Sequence, residues 1–119
     1  QTDFPHFLTL DWLPDGGNVN SNTGTIICSG AIPVSTGRAG VSLAAQDTLL
    51  FGYMPLLLNI DAPNLTRVEN FGYDSMGELV VPGVDRQNPS MAGVFVYVQF
   101  FGISPLVLSS NGLRFEFAP

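Results

Sequence analysis

The sequence contains no lysine, and this absence limits the partners that the chain can bind. Four arginines stand against ten aspartates and glutamates, which gives a formal net charge of −6. A nucleic-acid backbone is bound mainly through lysine and arginine, so this chain would repel it. The sequence also has no basic amphipathic segment, and its longest apolar run falls short of the ~20 residues that span a membrane. We therefore predict neither nucleic-acid binding nor membrane insertion.

Residues that carry catalysis and metal binding are scarce as well. Cys28 is the single cysteine and His6 the single histidine. One cysteine excludes an intrachain disulfide and a thiolate metal cluster built from one chain. His6 has no accompanying nucleophile motif, and the carboxylates show no paired arrangement typical of acid–base catalysis. We predict that the protein is not an enzyme, with no catalytic, cofactor-binding or metal-binding residues, and that Cys28 is a buried, unreactive thiol.

Charged residues are sparse, whereas apolar residues are abundant and occur in many short runs. Charged residues make up 12% of the 119 residues and hydrophobic ones 45%. Gly and Pro are spread along the chain, and no helical apolar period extends over eleven residues or more. We predict one domain over residues 1–119, an all-β protein built as a two-sheet antiparallel β-sandwich of immunoglobulin-like or jelly-roll-like kind. This length should hold about seven to nine short strands.

Period-two patterns and turn sequences divide the chain into these strands. We interpret residues 33–40, which contain one proline and two glycines, as an irregular connection. Residues 73–77 have the composition of a tight turn that would join its two flanking strands as a hairpin. Residues 88–91 predict one helical turn with Asn88 as its cap. The predicted strands lie at residues 6–12, 25–31, 41–45, 48–60 (two strands, or one bulged at Pro55), 65–71, 78–82, 94–101 and 113–117.

The predicted strand at 94–101 is apolar on both faces, although a strand that covers a core needs only one apolar face. Its first stripe consists of Val94, Val96, Val98 and Phe100, and its second of Phe95, Tyr97, Gln99 and Phe101. Either a segment of the same chain such as residues 38–46 covers the second face, or a neighbouring subunit does. We expect the cover on the second stripe, because Tyr97 and Gln99 tolerate water better than valine does.

Four short motifs follow one another in a fixed order between residues 71 and 117. They read FGYDSMGEL at 71–79, NPSMAG at 88–93, an aromatic strand that ends with YVQ at 97–99, and LSSNGL at 108–113. Together they resemble a C-terminal β-sandwich domain of uncharacterised secreted proteins of planctomycete and myxobacterial type. The resemblance implies an extracellular or cell-surface all-β domain without catalytic residues. The large apolar side chains at 94–101 depart from that pattern, in which more small or polar residues are expected.

Low charge and excess apolar strand surface favour a structural role. We expect a secreted subunit that self-associates into a filament, sheath, surface layer or larger extracellular complex. Residues 1–13 are a candidate extended strand for exchange with a neighbouring subunit, and Gln1 is interpreted as the residue that follows a removed signal peptide. The predicted interface residues are Phe95, Tyr97, Gln99, Phe101, Phe4 and Phe7.

The alternative is a carbohydrate-binding or adhesive module, with a glycan as its partner. Aromatic rings stack on sugar rings, and Trp12, Tyr53 and Tyr73 are the candidate platform. Trp12 shares its side of the first predicted strand with Leu8 and Leu10, so this ring also fits a place in the core.

Overall fold

The computed structural model describes residues 8–50, 54–61, 63–104 and 107–119. These residues form ten strands and two three-residue 3-10 turns, at Asp15–Gly17 and Pro89–Met91. The strands are β1 (Thr9–Pro14), β2 (Thr23–Ser29), β3 (Thr36–Ser42), β4 (Ala45–Leu50), β5 (Met54–Leu58), β6 (Leu65–Gly72), β7 (Leu79–Asp85), β8 (Phe95–Ser104), β9 (Leu108–Ser109) and β10 (Leu113–Glu116).

Two antiparallel sheets face each other across the core, which confirms the predicted all-β sandwich. The front sheet has the order β1-β2-β7, and the back sheet has the order β10-β8-β3-β6, with the short β9 paired to β8. Leu10 and Cys28 enter the core from the front sheet, and Val98 and Phe100 enter it from the back sheet. A separate hairpin, β4–β5, forms a third layer of two strands, and its strands confirm that residues 48–60 contain two strands.

The predicted strand with two apolar faces is β8, which is ten residues long. Val96, Val98 and Phe100 are buried on the core side. On the other side Gln99 is fully buried beneath the hairpin, where its side-chain oxygen accepts a hydrogen bond from Leu57 N at 2.9 Å. Its side-chain nitrogen donates to the carbonyl oxygens of Pro55 at 3.0 Å and Ser110 at 2.8 Å. The second face is therefore covered within the chain at its centre.

The connection predicted at residues 33–40 is wrong in its second half, because β3 begins at Thr36 and lies in the middle of the back sheet. Its glycines serve close packing rather than a loop. A Cβ atom on Gly40 would lie 2.8 Å from Cδ1 of Leu58 in the hairpin. A Cβ atom on Gly37 would lie 2.5 Å from the carbonyl oxygen of Phe101. Residues 38–42 are consequently not the cover of β8, since they lie beside it in β3, whereas residues 45 and 46 begin the hairpin that covers it.

The predicted turn at 73–77 forms, but the hairpin expected around it does not. Asp74 Oδ1 accepts hydrogen bonds from the backbone nitrogens of Met76 at 2.8 Å and Glu78 at 2.9 Å. Gly77 has a φ of +74°, which glycine adopts without strain. The strands on either side nevertheless belong to different sheets, β6 to the back and β7 to the front. This turn carries the chain across the sandwich.

Candidate functional site

One lateral side of the sandwich is closed by the chain that leads into β10. Leu8 N donates to Ser109 O at 3.2 Å, and Leu8 forms a parallel bridge with Ser110. The Asn111 side chain then acts as a strand partner for Leu10, accepting from its N–H at 2.7 Å and donating to its carbonyl oxygen at 3.0 Å. The edge of β1 is thus joined to the back sheet by hydrogen bonds, and water is kept from the core on this side.

The opposite lateral side is open, between β6 and β7. The back sheet is four strands wide and the front sheet three, and β6 is the strand at the back edge. A cleft of about 640 Å³ lies between the sheets here. Its walls are mainly apolar core side chains, and we call it the lateral cleft. It is lined by Ile26, Ala39, Val41, Phe71, Leu79, Val81, Val84, Val96, Val98, Phe100, Phe115 and Phe117, with Thr66, Arg67, Glu69, Asn70, Asp85 and Arg86 as its polar residues.

The inner face of β6 carries charge where the inner faces of the other strands carry apolar side chains. Arg67 lies opposite Val41, and Glu69 lies opposite Ala39. Both β3 residues pack against the core, and directly opposed residues share one face of a sheet. The Arg67 and Glu69 side chains are 68% and 57% exposed, and they form an ion pair with each other. Charged groups remain on this face because the front sheet does not cover them.

The two strands that flank the cleft, β6 and β7, differ in how well their free edges are protected against pairing with another chain. In β7, Pro82 and Gly83 lie where the pairing with β2 shifts register between Gly24 and Ile26. A proline and a bulge are common protections of an edge strand against pairing with other chains. β6 is eight residues long, contains no proline, and has most of its residues exposed. Its own register shift is at Thr66, near its start, and from Arg67 to Gly72 it pairs with β3 without interruption. Among the described strands it pairs with β3 alone, so its other side presents free backbone groups.

At the β7 side of the cleft, Arg86 is held mostly by backbone contacts. Its N–H donates to Asn22 O at 2.9 Å, and its Nη1 donates to Glu116 O at 3.3 Å. Its Nε is buried and has no hydrogen-bond partner among the described residues. The neighbouring Asp85 accepts from Gln87 N at 2.8 Å through its side chain. This rim therefore carries one positive and one negative group, like the rim on β6.

In the closed part of the core, Cys28 and Tyr73 form a polar contact between buried side chains. The Cys28 sulfur lies 3.7 Å from the Tyr73 hydroxyl, which also donates to Phe101 O at 2.9 Å. Burial raises the pKa of the Cys28 thiol from 9.0 to about 11. Burial also raises the pKa of the Tyr73 hydroxyl, and the neighbouring thiol adds to that rise. Cys28 therefore stays protonated at neutral pH and lies where the sequence predicts, as a buried thiol.

The predicted interface residues on β8 do not form one accessible surface. Phe95 is 37% exposed, with the Arg114 guanidinium carbon 4.7 Å from the centre of its ring. Tyr97 and Phe101 are partly buried. Gln99 makes its hydrogen bonds inside the chain, where a neighbouring subunit cannot reach it. Phe4 and Phe7 lie outside the described residues, and of residues 1–13 the described part forms most of β1, paired with β2 of the same chain.

The predicted sugar platform is not assembled on one surface in the described residues. Trp12 packs edge-on against Phe115, with ring centres 5.0 Å apart, at the margin of the core. Tyr73 is 4% exposed, and its ring contacts Phe71 edge-on at 5.1 Å between centres. Tyr53 lies outside the described residues. The two described rings therefore contribute to packing.

The described ranges lack a cluster of metal ligands and a membrane-spanning helix. Within residues 8–50, 54–61, 63–104 and 107–119, no three or more His, Cys, Asp or Glu side chains gather as a metal site would require. Asp15, in the first turn, accepts a hydrogen bond from the Thr23 hydroxyl at 2.6 Å. No helix in these ranges has the length and apolar character needed to cross a membrane.

No protein-family model, curated protein or solved structure matches this chain. The resemblance of residues 71–117 to a C-terminal domain of secreted bacterial proteins therefore stays a prediction.

The lateral cleft and the two charged residues at its edge, Arg67 and Glu69, were not predicted from the sequence. One signal was present, because β6 reads Thr66-Arg67-Val68-Glu69-Asn70 and carries polar residues on both faces. A strand in the middle of a sandwich sheet has at least one apolar face. Such a pattern therefore indicates a strand whose inner face is uncovered.

Proposed function

We propose that this protein is a secreted structural subunit that self-associates into a filament, sheath, surface layer or larger extracellular complex. The observation that carries the proposal is the open side of the sandwich. There an apolar cleft of about 640 Å³ lies beside an edge strand that has no second partner among the described residues. Apolar surface and free strand edges both favour association with another chain. A neighbouring subunit would supply the cover that the front sheet lacks.

The surface chemistry is consistent with this role. Large apolar side chains are exposed at several separate places, including Val19 at 80%, Val34 at 77% and Met76 at 76%. Charged side chains, which oppose close approach of like molecules, are few. The proposal depends on association alone.

The test is the state of the native protein over a wide range of concentrations. Light scattering coupled to size-exclusion chromatography should show mass that rises with concentration, and electron microscopy should show particles larger than one 12.7 kDa chain. A variant with an apolar wall residue of the cleft made charged, Val81→Asp, should associate less, because the cover would bury an unpaired charge. Its fold is checked by circular dichroism. A monodisperse monomer at every concentration would contradict the proposal.

The carbohydrate-binding alternative has no specific observation in its favour. Of its three platform residues, Tyr73 is buried and Trp12 packs against Phe115. We therefore do not propose it as a second function.

A further inference from the structure

We infer that β6 pairs with β6 of a second copy of this chain, antiparallel and about a two-fold axis at Val68, so that the back sheets of two subunits join into one continuous sheet. This inference depends on the proposed function, because it specifies the surface and the partner through which subunits associate. The partner is a second copy of the chain, and the surface is the free side of β6.

The charges along β6 are complementary to those of a second β6 that runs antiparallel to it. With Val68 opposite Val68 of the second copy, Arg67 lies opposite the second copy's Glu69, and Glu69 opposite its Arg67. Opposite charges at directly opposed positions stabilise an antiparallel pair, and like charges destabilise it. Arg67 and Glu69 already form an ion pair within the chain. The dimer would extend this pair into a square of four alternating charges.

The outer face of the strand agrees with this register. Val68, which is 47% exposed in one chain, would meet its own symmetry mate. Two-fold contacts in which one surface patch meets itself are the commonest form of association between identical chains.

The charges also select this register over its neighbours. Side chains alternate between the two faces of a strand, so the smallest shift that keeps each side chain on its face is two residues. Shifted one way, Arg67 would lie opposite Arg67 of the second copy, and shifted the other way Glu69 would lie opposite Glu69. Both alternatives bring like charges together, and only the register centred on Val68 brings opposite charges together.

The position of β6 makes the pairing sterically accessible. It is the outermost strand of the back sheet, and the exposed side chains of Arg67 and Glu69 show that the front sheet leaves it uncovered. The free edge of β7 has a proline at its bulge, whereas the bulge of β6 is at Thr66 and lies outside residues 67–69. In the joined sheet, the lateral clefts of the two subunits would lie on the same face and open towards each other above the paired strands.

The main test reverses the charges and then restores them. Arg67→Glu places two carboxylates opposite each other at two symmetry-related contacts, and we expect the dimer dissociation constant to rise by about tenfold or more. Glu69→Arg should have a similar effect. The double variant Arg67→Glu/Glu69→Arg restores opposite charges in the same register, and its dissociation constant should return towards that of the native protein. Sedimentation equilibrium measures all four proteins.

Arg114→Glu is the matched control, because it makes the same change in net charge on an exposed residue of β10, at the other edge of the same sheet. It should leave the dissociation constant within about twofold of the native value, since surface charges beyond the contact are screened. Thermal unfolding of each variant shows that the fold is retained. If Arg67→Glu weakens association no more than Arg114→Glu does, or if the double variant stays as weak as the single ones, the inference is wrong.

A cross-link gives a second, independent measurement. Directly opposed residues of an antiparallel pair have Cα atoms about 4.5–5.5 Å apart, within the range of a disulfide. Val68→Cys should therefore form a covalent dimer on mild oxidation, whereas Val80→Cys, on the other free edge strand and similarly exposed at 51%, should not. Native oligomers without a Val68 cross-link would reject this inference and leave the proposed function standing. A native protein that is always monomeric would reject both.

Discussion

The two lateral sides of the sandwich differ in whether the edges of their strands are covered by other residues of the chain. At the closed side, Ser109 and Asn111 form hydrogen bonds with the backbone groups of Leu8 and Leu10 at the edge of β1. At the open side, β6 and β7 belong to different sheets, and among the described residues they are joined only by the turn at residues 73–77 at one end. The closed side therefore stabilises the monomer, whereas the open side exposes a strand edge and an apolar cleft.

The largest expected loss of stability comes from removing the hydrogen bonds of Asn111 at the closed side. Asn111→Ala would leave the N–H and carbonyl groups of Leu10 without partners, and we expect it to lower the free energy of unfolding by about 2–4 kcal/mol. Asn70→Ala is the matched change on β6, where the side chain accepts an exposed hydrogen bond from Arg38 at 2.8 Å. This variant should cost less than about 0.5 kcal/mol. Urea unfolding measures both, and equal losses would contradict the distinction between the two sides.

A smaller effect should come from adding volume on each side. Leu10 is 1% exposed in the closed core, so Leu10→Phe should overpack it and destabilise the fold by about 1–3 kcal/mol. Val84 lines the lateral cleft, where a larger ring finds space. Val84→Phe should therefore leave the midpoint of unfolding nearly unchanged. If Val84→Phe costs as much as Leu10→Phe, the cleft does not offer the volume that we assign to it.

The smallest of the three effects is the pH dependence of the buried thiol. The pKa of Cys28 is raised in the folded state to about 11, so the folded state holds this proton more tightly than the unfolded state does. The resulting stability is complete below pH 9 and is lost as the pH rises towards 11. We expect a loss on the order of 1–2 kcal/mol over this window, measured by urea unfolding at each pH.

Two variants sharpen that measurement. Cys28→Ala should flatten the part of the pH profile that begins near pH 9, and the part due to Tyr73 should remain at higher pH.

In the Cys28→Ala background, Val84→Cys places a thiol in the lateral cleft. A thiol reagent should modify Cys28 of the native protein only on unfolding, whereas it should modify the new thiol in the folded subunit. Rapid modification of native Cys28 would contradict its assignment to a closed core.

Sequence patterns of short range predicted the local structure well. The alternation in β10, the turn at Asp74 and Gly77, and the helical turn capped by Asn88 all form as expected. Each depends on residues within a few positions of one another, so the chain carries the information locally. The long strand β8 was also predicted, because few arrangements other than a covered central strand accept apolar residues on both faces.

The errors come from residues whose roles depend on distant parts of the chain. Gly37 and Gly40 indicated a loop, yet they lie in β3 because Phe101 and Leu58 approach its backbone closely. The cover of Gln99 was expected from residues such as 38–46 or from a neighbouring subunit, yet the β4–β5 hairpin supplies it and satisfies the amide group. Neither contact is visible in a sequence, since the groups involved lie far apart along the chain.

Composition and local pattern were enough to establish a β-rich chain with little charge, the positions of most strands and turns, and a strand that needs cover on both faces. The assignment of strands to sheets required the tertiary structure. A turn such as residues 73–77 reverses the chain, but burial and distant hydrogen bonds decide whether the next strand pairs with the last one or crosses to the other sheet. In this protein the chain crosses, and the open edge with Arg67 and Glu69 is the consequence.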